Sequence, residues 1–131
     1  MMNDPVSDML TRIRNASMVR AKDVAMPMSK LKFAIAKLLE GEGFVAGVET
    51  FTEGARPMLR IKLAYRDGGY PAISTITRLS KPSRRIYVKA NDLSRVRSGF
   101  GCAIISTPNG LMTNREARKR RLGGELICEV Y

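Results

Sequence analysis

The sequence contains no histidine and no tryptophan, and its 131 residues include only two cysteines, Cys102 and Cys128. Two cysteines without a histidine cannot complete a four-ligand zinc site, and the side chain that most often acts as general base at neutral pH is missing. Neither a Gly-rich phosphate loop ending in Lys-Ser or Lys-Thr nor a Gly-x-Ser-x-Gly nucleophile motif occurs. Nothing therefore indicates an enzyme, and we predict no catalytic residue, no metal site, no cofactor and no small-molecule substrate.

Segments suited to a membrane or to export are also missing. No apolar stretch approaches the ~20 residues needed to span a bilayer. The first ten residues, MMNDPVSDML, lack the basic-then-apolar order of a signal peptide. We therefore expect a cytoplasmic protein without a membrane partner, in which both cysteines stay reduced and pack as small apolar residues.

Positive charge is what the sequence has in excess. It contains 23 Lys and Arg against 12 Asp and Glu, a net charge of +11. Residues 78–121 hold 12 positive and 2 negative side chains, a net of +10, whereas residues 1–77 contribute +3 and residues 122–131 contribute −2. A chain this short and this basic most often binds a polyanion, with nucleic acid as the leading candidate and an anionic membrane surface as the alternative.

The composition changes at RDGGYPA, residues 66–72, a Gly- and Pro-containing stretch that predicts a boundary between two lobes. We expect a mixed α+β fold. It should comprise an N-terminal α/β domain at residues 1–66, a linker at residues 67–71, and a β-rich C-terminal domain at residues 72–131.

The first lobe is predicted to run helix, strand, helix, strand, strand. Asp4 and Pro5 suit a helix start, and Pro27 restricts the following strand to a sheet edge. Ser29 predicts the N-cap of the second helix, and a turn around Gly54 joins the last two strands. The expected apolar stripe of the second helix comprises Leu31, Ile35, Leu38 and Leu39.

The second lobe is richer in strands, which we predict at residues 72–79, 84–88, 102–107 and 125–131. Residues 91–98 predict one or two helical turns. Thr113 followed by Glu116 predicts a capping box at the start of a short helix. That helix is expected to continue to about Arg121, and the glycines at 123–124 are expected to end it.

A dense basic cluster, REARKRR, occupies residues 115–121 with five positive charges in seven positions. Such a run is often only a solvated helix face. Here almost no acid in the same lobe balances it, so phosphate contact is favoured. The candidate phosphate-binding residues of this lobe are Arg115, Arg118, Lys81, Arg84 and Arg85.

Uncharged polar groups lie just before this cluster, at a turn over residues 107–110. Pro108 presets the turn, and Ser106, Thr107 and Asn109 supply hydrogen-bond donors and acceptors. These groups could serve the turn alone. Their place at the tip of an apolar strand, beside basic residues, favours a role in reading the shape of an irregular RNA.

Two further residues have two interpretations each. Tyr87 could pack within its strand, or it could present its ring to an unpaired nucleotide. Glu125 could be a charge that protects an edge strand, or an acceptor for a base amino group or a ribose hydroxyl. Gly124, beside it, would then let RNA approach the backbone.

Five blocks of the sequence carry a likeness to a known family. They are DPVSDMLTRIRNA, KLKFAIAKLLEGEGF, RLSKPSRRIYV, ISTPNGLMTNREAR and GGELICEV, which occur in this order over essentially the whole chain. Together they resemble the bacterial small-subunit ribosomal protein S8 family. The resemblance implies a two-domain α/β protein that binds an irregular stem in the central domain of small-subunit ribosomal RNA, early in subunit assembly.

The resemblance also implies functional residues and partners. The C-terminal lobe would carry the main RNA site, with the family's polar loop at residues 106–110, including Gly110, its tyrosine at Tyr87 and its glutamate at Glu125. Proline stands at position 108, where the family more usually has serine. The implied partners are ribosomal protein S5 and, for some members, an mRNA of their own operon. Positions that match further RNA contacts in the N-terminal lobe are Arg12, Arg14, Ser29 and Lys30.

We therefore predict a structural RNA-binding protein that helps assemble the platform of the small ribosomal subunit. One alternative is an RNA-binding translational regulator that acts on mRNA outside the ribosome. A second alternative, an RNA-modifying enzyme, is disfavoured by the missing histidine and cofactor motifs.

Overall fold

The computed structural model describes residues 4–93, 96 and 101–131, which adopt the expected mixed α+β fold. By internal contacts the chain divides into two compact units. One is formed by Pro5–Ser74, and the other by Thr75–Tyr131 together with Asp4. This division falls a few residues after the predicted linker at residues 67–71, and the domain bounds given above stay a prediction.

The Pro5–Ser74 unit follows the predicted order of helix, strand, helix, strand, strand. Its antiparallel sheet has the order β1-β3-β2, so that the strand ending in Pro27 lies at an edge, as predicted. A proline is tolerated there because its missing N–H faces no neighbouring strand. The elements are α1 (Pro5–Met18), β1 (Asp23–Pro27), α2 (Lys30–Gly41), β2 (Val45–Glu53) and β3 (Arg56–Leu63).

The core of this unit is built from apolar residues at helical and strand periodicity. The residues of α1 at spacing i, i+3, i+4 and i+7 form one buried stripe, because this spacing places them on one helix face. In β3 the residues at alternate positions are buried in the same way. The buried set comprises Val6, Met9, Leu10, Ile13, Leu59, Ile61 and Leu63.

The predicted apolar face of α2 is wrong by one position at its start. Leu31 is 44% exposed, whereas Lys32 is buried. The Nζ of Lys32 donates to the backbone carbonyl of Pro27 at 3.0 Å, so the aliphatic stem packs inside while the ammonium is satisfied by the backbone. The Ser29 cap is confirmed, because its hydroxyl accepts from the backbone N–H of Lys32 at 3.1 Å.

The Thr75–Tyr131 unit contains one antiparallel sheet with the order β4-β8-β6-β7, and β5 also pairs with β8. The last strand of the chain is therefore central, with β6 along one side and β4 and β5 along the other. The elements are β4 (Ile76–Arg78), β5 (Tyr87–Val88), a 3₁₀ turn (Ala90–Asp92), β6 (Cys102–Thr107), β7 (Gly110–Thr113), α3 (Asn114–Lys119) and β8 (Gly124–Val130).

Several predictions for this unit need correction. The strands predicted at 72–79 and 84–88 shrink to three and two residues, and β7, which pairs with β6 across the turn at 107–110, was not predicted. Of the helical turns predicted at 91–98, the described part is a 3₁₀ turn, and residues 94, 95, 97 and 98 lie outside the described residues.

The end of α3 also differs from the prediction. The helix stops at Lys119, and Arg121 itself takes a left-handed backbone conformation with φ 57°. Its N–H bonds to the carbonyl of Arg118 at 3.1 Å, and the N–H of Leu122 bonds to the carbonyl of Ala117 at 2.9 Å. These two bonds form a Schellman motif, so the helix has already ended before the glycines at 123–124.

Those glycines serve the sheet instead. A Cβ added at Gly124 would lie 2.0 Å from the backbone oxygen of Ser106, and one added at Gly123 would lie 2.5 Å from that of Val88. The backbone of a neighbouring strand cannot move aside as the end of a flexible side chain can. The start of β8 therefore fits between its neighbours only because these two residues have no side chain. Gly124 therefore has an internal reason to be glycine, whatever its relation to RNA.

We expect Gly124→Ala to lower the free energy of unfolding by ~2 kcal/mol or more, because the added methyl must displace a neighbouring strand. Gly41→Ala is the matched control, since nothing lies within 4 Å of a Cβ at this helical position. It should raise stability by up to ~1 kcal/mol. Urea denaturation of both variants checks this, and equal stabilities would contradict the close approach.

Burial raises the pKa of Cys102 to about 11 and that of Cys128 to about 12. Both side chains are fully buried. Because the thiolate is the reactive form, both thiols of the folded protein should resist iodoacetamide at pH 8, and both should react once urea unfolds the chain. Mass spectrometry of the alkylated protein measures this, and rapid modification of the folded protein would contradict the burial of these thiols.

Candidate nucleic-acid interface

A narrow loop that joins β4 to β5 carries three cations at the side of the sheet. Lys81 and Arg84 exchange two backbone hydrogen bonds of 2.9 Å. The base of the loop is fixed to β8, because the N–H of Ser80 bonds to the carbonyl of Leu126 and the N–H of Leu126 bonds to the carbonyl of Ile86. We call residues 81–85 the basic loop. All five are exposed, so Lys81, Arg84 and Arg85 reach solvent from a closed backbone.

A buried hydrogen-bond network supports this loop from below. Ser80 has 0% exposure, and its Oγ donates to Glu125 Oε2 at 2.6 Å while it accepts from the backbone N–H of Ile86 at 2.9 Å. Arg85 Nη1 lies 3.2 Å from the same carboxylate oxygen. The Glu125 side chain is only 15% exposed, so its carboxylate is committed to holding the loop.

The edge-strand interpretation of Glu125 is therefore wrong. β8 is a central strand, and Glu125 is paired with Tyr87 of β5 on one side and with Ser106 of β6 on the other. Residues directly opposite each other on antiparallel strands share one face, with Cβ atoms ~4.5–5.5 Å apart. Tyr87, Glu125 and Ser106 thus form one row across three strands, which we call the polar row.

Tyr87 is not packed within its strand, because 67% of it is exposed. Its ring stands at one end of the polar row, two residues after Arg85 of the basic loop. The interpretation of Tyr87 as a packed strand aromatic is therefore wrong. The ring is free to stack against a planar group from outside.

The turn at 107–110 lies next to the other end of the polar row. The Oγ1 of Thr107 donates to the carbonyl of Gly110 at 2.8 Å and accepts from the N–H of Asn109 at 3.1 Å. Since Thr107 is also buried, its hydroxyl shapes the turn. Asn109 and Gly110 are exposed and Ser106 is half-buried, so these residues have the more accessible polar groups.

The basic cluster on α3 is partly used inside the protein. Arg118 donates to the carbonyl of Leu93 at 3.1 Å, and Arg120 pairs with Glu116 at 2.7 Å. The hydrogen bond from Arg120 holds the pKa of Glu116 below its usual range. The predicted capping box is only half formed, because Thr113 caps the N–H of Glu116 while the Glu116 carboxylate binds Arg120.

Arg115 is exposed, and Arg118 and Arg121 line an open groove of about 380 Å³ with Ala90 and Asn91. Two arginine side chains therefore border a concave surface beside the 3₁₀ turn, and one of them, Arg118, is already bonded to the Leu93 carbonyl.

The candidates of the Pro5–Ser74 unit differ in their availability. Arg12 pairs with Asp8 at 3.0 Å and also donates to the carbonyl of Ala25 at 3.3 Å. The Ser29 hydroxyl already caps α2. Arg14 and Lys30 are exposed. The cations remain candidates for phosphate contact, whereas Ser29 acts first on its own helix.

Two kinds of site are not found in the described part of the chain. Residues 4–93, 96 and 101–131 contain no group of three His, Cys, Asp or Glu side chains that could hold a metal ion. No helix among the same residues is long and apolar enough to cross a membrane.

The sequence has clear relatives among known proteins. A family model described as Ribosomal protein S8 matches residues 4–131. The chain is 51% identical to the small ribosomal subunit protein uS8 of Caldanaerobacter subterraneus subsp. tengcongensis, over 99% of this chain and 98% of that protein. It is 50% identical to the proteins of the same name from Burkholderia multivorans and Burkholderia cenocepacia, over 98% of each chain.

Proposed function

The chain belongs to the ribosomal protein S8 family, and from this membership we propose that it is a structural component of the small ribosomal subunit that binds small-subunit ribosomal RNA directly. The resemblance predicted from the five sequence blocks is thereby confirmed. The family is one of ribosomal proteins and not of enzymes, and its members work with ribosomal RNA and other ribosomal proteins.

The observation that carries the proposed RNA contact is the polar row with the basic loop beside it. Lys81, Arg84 and Arg85 supply charge for phosphates, which gives affinity without sequence information. Tyr87 supplies a ring for an unpaired base, and the half-buried Ser106 on β6 supplies a hydroxyl. The residues that attract RNA and the residues that distinguish an irregular stem from a regular duplex are therefore neighbours.

We assign the remaining candidates by their contacts. Asn109 and Gly110 present polar groups at the exposed turn, while Thr107 and Gly124 keep that region in shape. Arg115 and Arg118 add phosphate contacts from α3. In the other unit, Arg12, Arg14 and Lys30 are proposed to contact further RNA, with Ser29 positioning the start of α2.

The proposal also includes the specific RNA site and the neighbouring protein. We propose that the RNA site is an irregular stem of the central domain, where the protein helps assemble the platform, and that ribosomal protein S5 is a neighbour. An mRNA of the protein's own operon that mimics this stem is a further proposed ligand. A regulator that acts only outside the ribosome is not favoured, because the relatives are named as small ribosomal subunit proteins.

Footprinting of the purified protein on naked small-subunit ribosomal RNA tests the proposal. The strongest protection is expected at one irregular stem in the central domain, with weaker protection where the Pro5–Ser74 unit contacts further RNA, and co-sedimentation with small subunits should accompany it. Absence of protection, or equal protection of regular helices throughout the RNA, would contradict the proposed function.

The basic loop should set part of the salt dependence of binding. Replacing Lys81 and Arg84 with alanine should reduce the slope of log affinity against log salt by about 0.7–0.9 for each phosphate that the variant no longer neutralises, taking values known for DNA. The matched control replaces Lys37 and Lys62, which lie near Glu40 and Glu49. An unchanged slope for the first variant would show that the basic loop does not bind phosphate.

Glu125 should act through Ser80 rather than through its charge alone. Glu125→Gln and Glu125→Met remove the same charge, but only glutamine keeps an acceptor for the Ser80 hydroxyl. We expect the methionine variant to bind the irregular stem about 5- to 10-fold more weakly than the glutamine variant, which is the effect of removing one hydrogen bond.

Affinity for a regular RNA duplex serves as the control in this comparison, and it should be the same for both Glu125 variants. Equal affinities of the two variants for the irregular stem would show that the hydrogen bond to Ser80 is irrelevant to binding. Circular dichroism at the temperature of the binding measurement confirms that each variant is folded.

A further inference from the structure

Two helices end on an arginine in a conformation that favours glycine. Arg20 after α1 and Arg121 after α3 have φ 56° and 57°, and they are the non-glycine residues with positive φ in the described part of the chain. At the equivalent position after α2 stands Gly43, with φ 81°. All three ends share the same pair of Schellman hydrogen bonds.

A side chain with a Cβ is strained in this left-handed region, whereas glycine is not. Helix termination therefore does not account for an arginine at position 20, because Gly43 performs the same task without strain. A positive charge near a helix C-terminus is favourable in itself, and a test of the site must separate this effect from ligand binding.

The guanidinium of Arg20 lies over the ring of Tyr70, 6.0 Å from its centroid. Tyr70 is 65% exposed, although its backbone is fixed. Its carbonyl accepts from the N–H of Arg66 at 2.7 Å, and the N–H of Gly69 bonds to the carbonyl of Arg66 at 2.9 Å. The ring thus stands in solvent on a closed turn, with a cation beside it.

The end of α1 is tied to the same region of this unit. The hydroxyl of Tyr65 donates to the carbonyl of Ala21, the residue after Arg20. Pairing of Tyr65 with Pro71 joins that contact to the Tyr70 turn. Both members of the Arg20–Tyr70 pair are therefore held by backbone contacts, as expected of a prepared binding surface.

We propose that Arg20 and Tyr70 form a stacking site for one unpaired nucleotide of small-subunit ribosomal RNA. This inference rests on the proposed function and adds a site in the Pro5–Ser74 unit. The base stacks on the face of Tyr70, and the guanidinium of Arg20 contacts the base or its phosphate. The strain at Arg20 is retained because the charge acts on a ligand.

The absence of tryptophan from the sequence makes the site directly observable. In a Tyr70→Trp variant the introduced indole is the only tryptophan side chain of the protein, and stacking of a base quenches its fluorescence. We expect naked small-subunit ribosomal RNA to quench this signal, while the isolated irregular stem, bound by the other unit, leaves it unchanged. Quenching by neither RNA would overturn the proposal.

Affinity measurements give a second test. Tyr70→Leu should weaken binding to the complete ribosomal RNA by about 5-fold or more, as removal of one stacked base does, and should leave affinity for the isolated stem unchanged. Arg20→Gly should weaken binding in the same direction without lowering the melting temperature, because glycine relieves the strain. Wild-type affinity of both variants for the complete RNA would overturn the proposal.

The exposed neighbours Met18 and Val19 make a protein contact the competing explanation. If both variants bind naked RNA like the wild type but are retained less well in reconstituted small subunits, the surface contacts a protein and the proposal is wrong. Failure of the wild-type chain to bind any ribosomal RNA would instead overturn the proposed function itself, so the two failures are distinguishable.

Discussion

The hydrogen bond between Ser80 and Glu125 is the interaction on which the candidate interface depends. A single hydroxyl joins the carboxylate of a central strand to the backbone of Ile86, at the base of the basic loop. A largely buried carboxylate is tolerable only when donors satisfy it. Ser80 and Arg85 satisfy it here, and in doing so they fix the loop that brings positive charge beside Tyr87.

This arrangement resolves an apparent conflict in the charge distribution. An unpaired negative charge in the middle of the proposed phosphate-binding surface would repel the ligand. Because Glu125 is largely covered and paired with Arg85, its charge is partly balanced locally, while Lys81 and Arg84 remain exposed. The carboxylate holds the basic loop in place and only slightly reduces the positive charge that would attract phosphates.

Features set by neighbouring residues were predictable from the sequence, whereas features set by distant contacts were not. The Ser29 cap, the edge position of Pro27 and the turn at 107–110 follow from local backbone preferences and were confirmed. Ser80 could not be identified in the same way because its partner lies 45 residues away, and no pattern around a lone serine indicates such a contact.

The remaining errors have the same origin. Leu31 looked like a core residue because periodicity cannot tell which of two adjacent helix faces the sheet covers, and Lys32 is the buried residue instead. The exposure of Tyr87 likewise depends on which strands flank it.

The closed backbone of residues 81–84 has a consequence for the order of events in complex formation. Two mutual hydrogen bonds of 2.9 Å already restrict this segment in the free protein, so little of its freedom remains to be given up on association. In the proposed complex the basic loop would act as a preformed template, and most of the conformational adjustment would occur in the RNA. The protein would bind those RNA molecules that already have the matching shape. The association rate would therefore depend on the fraction of RNA in that shape more than on any rearrangement of the protein.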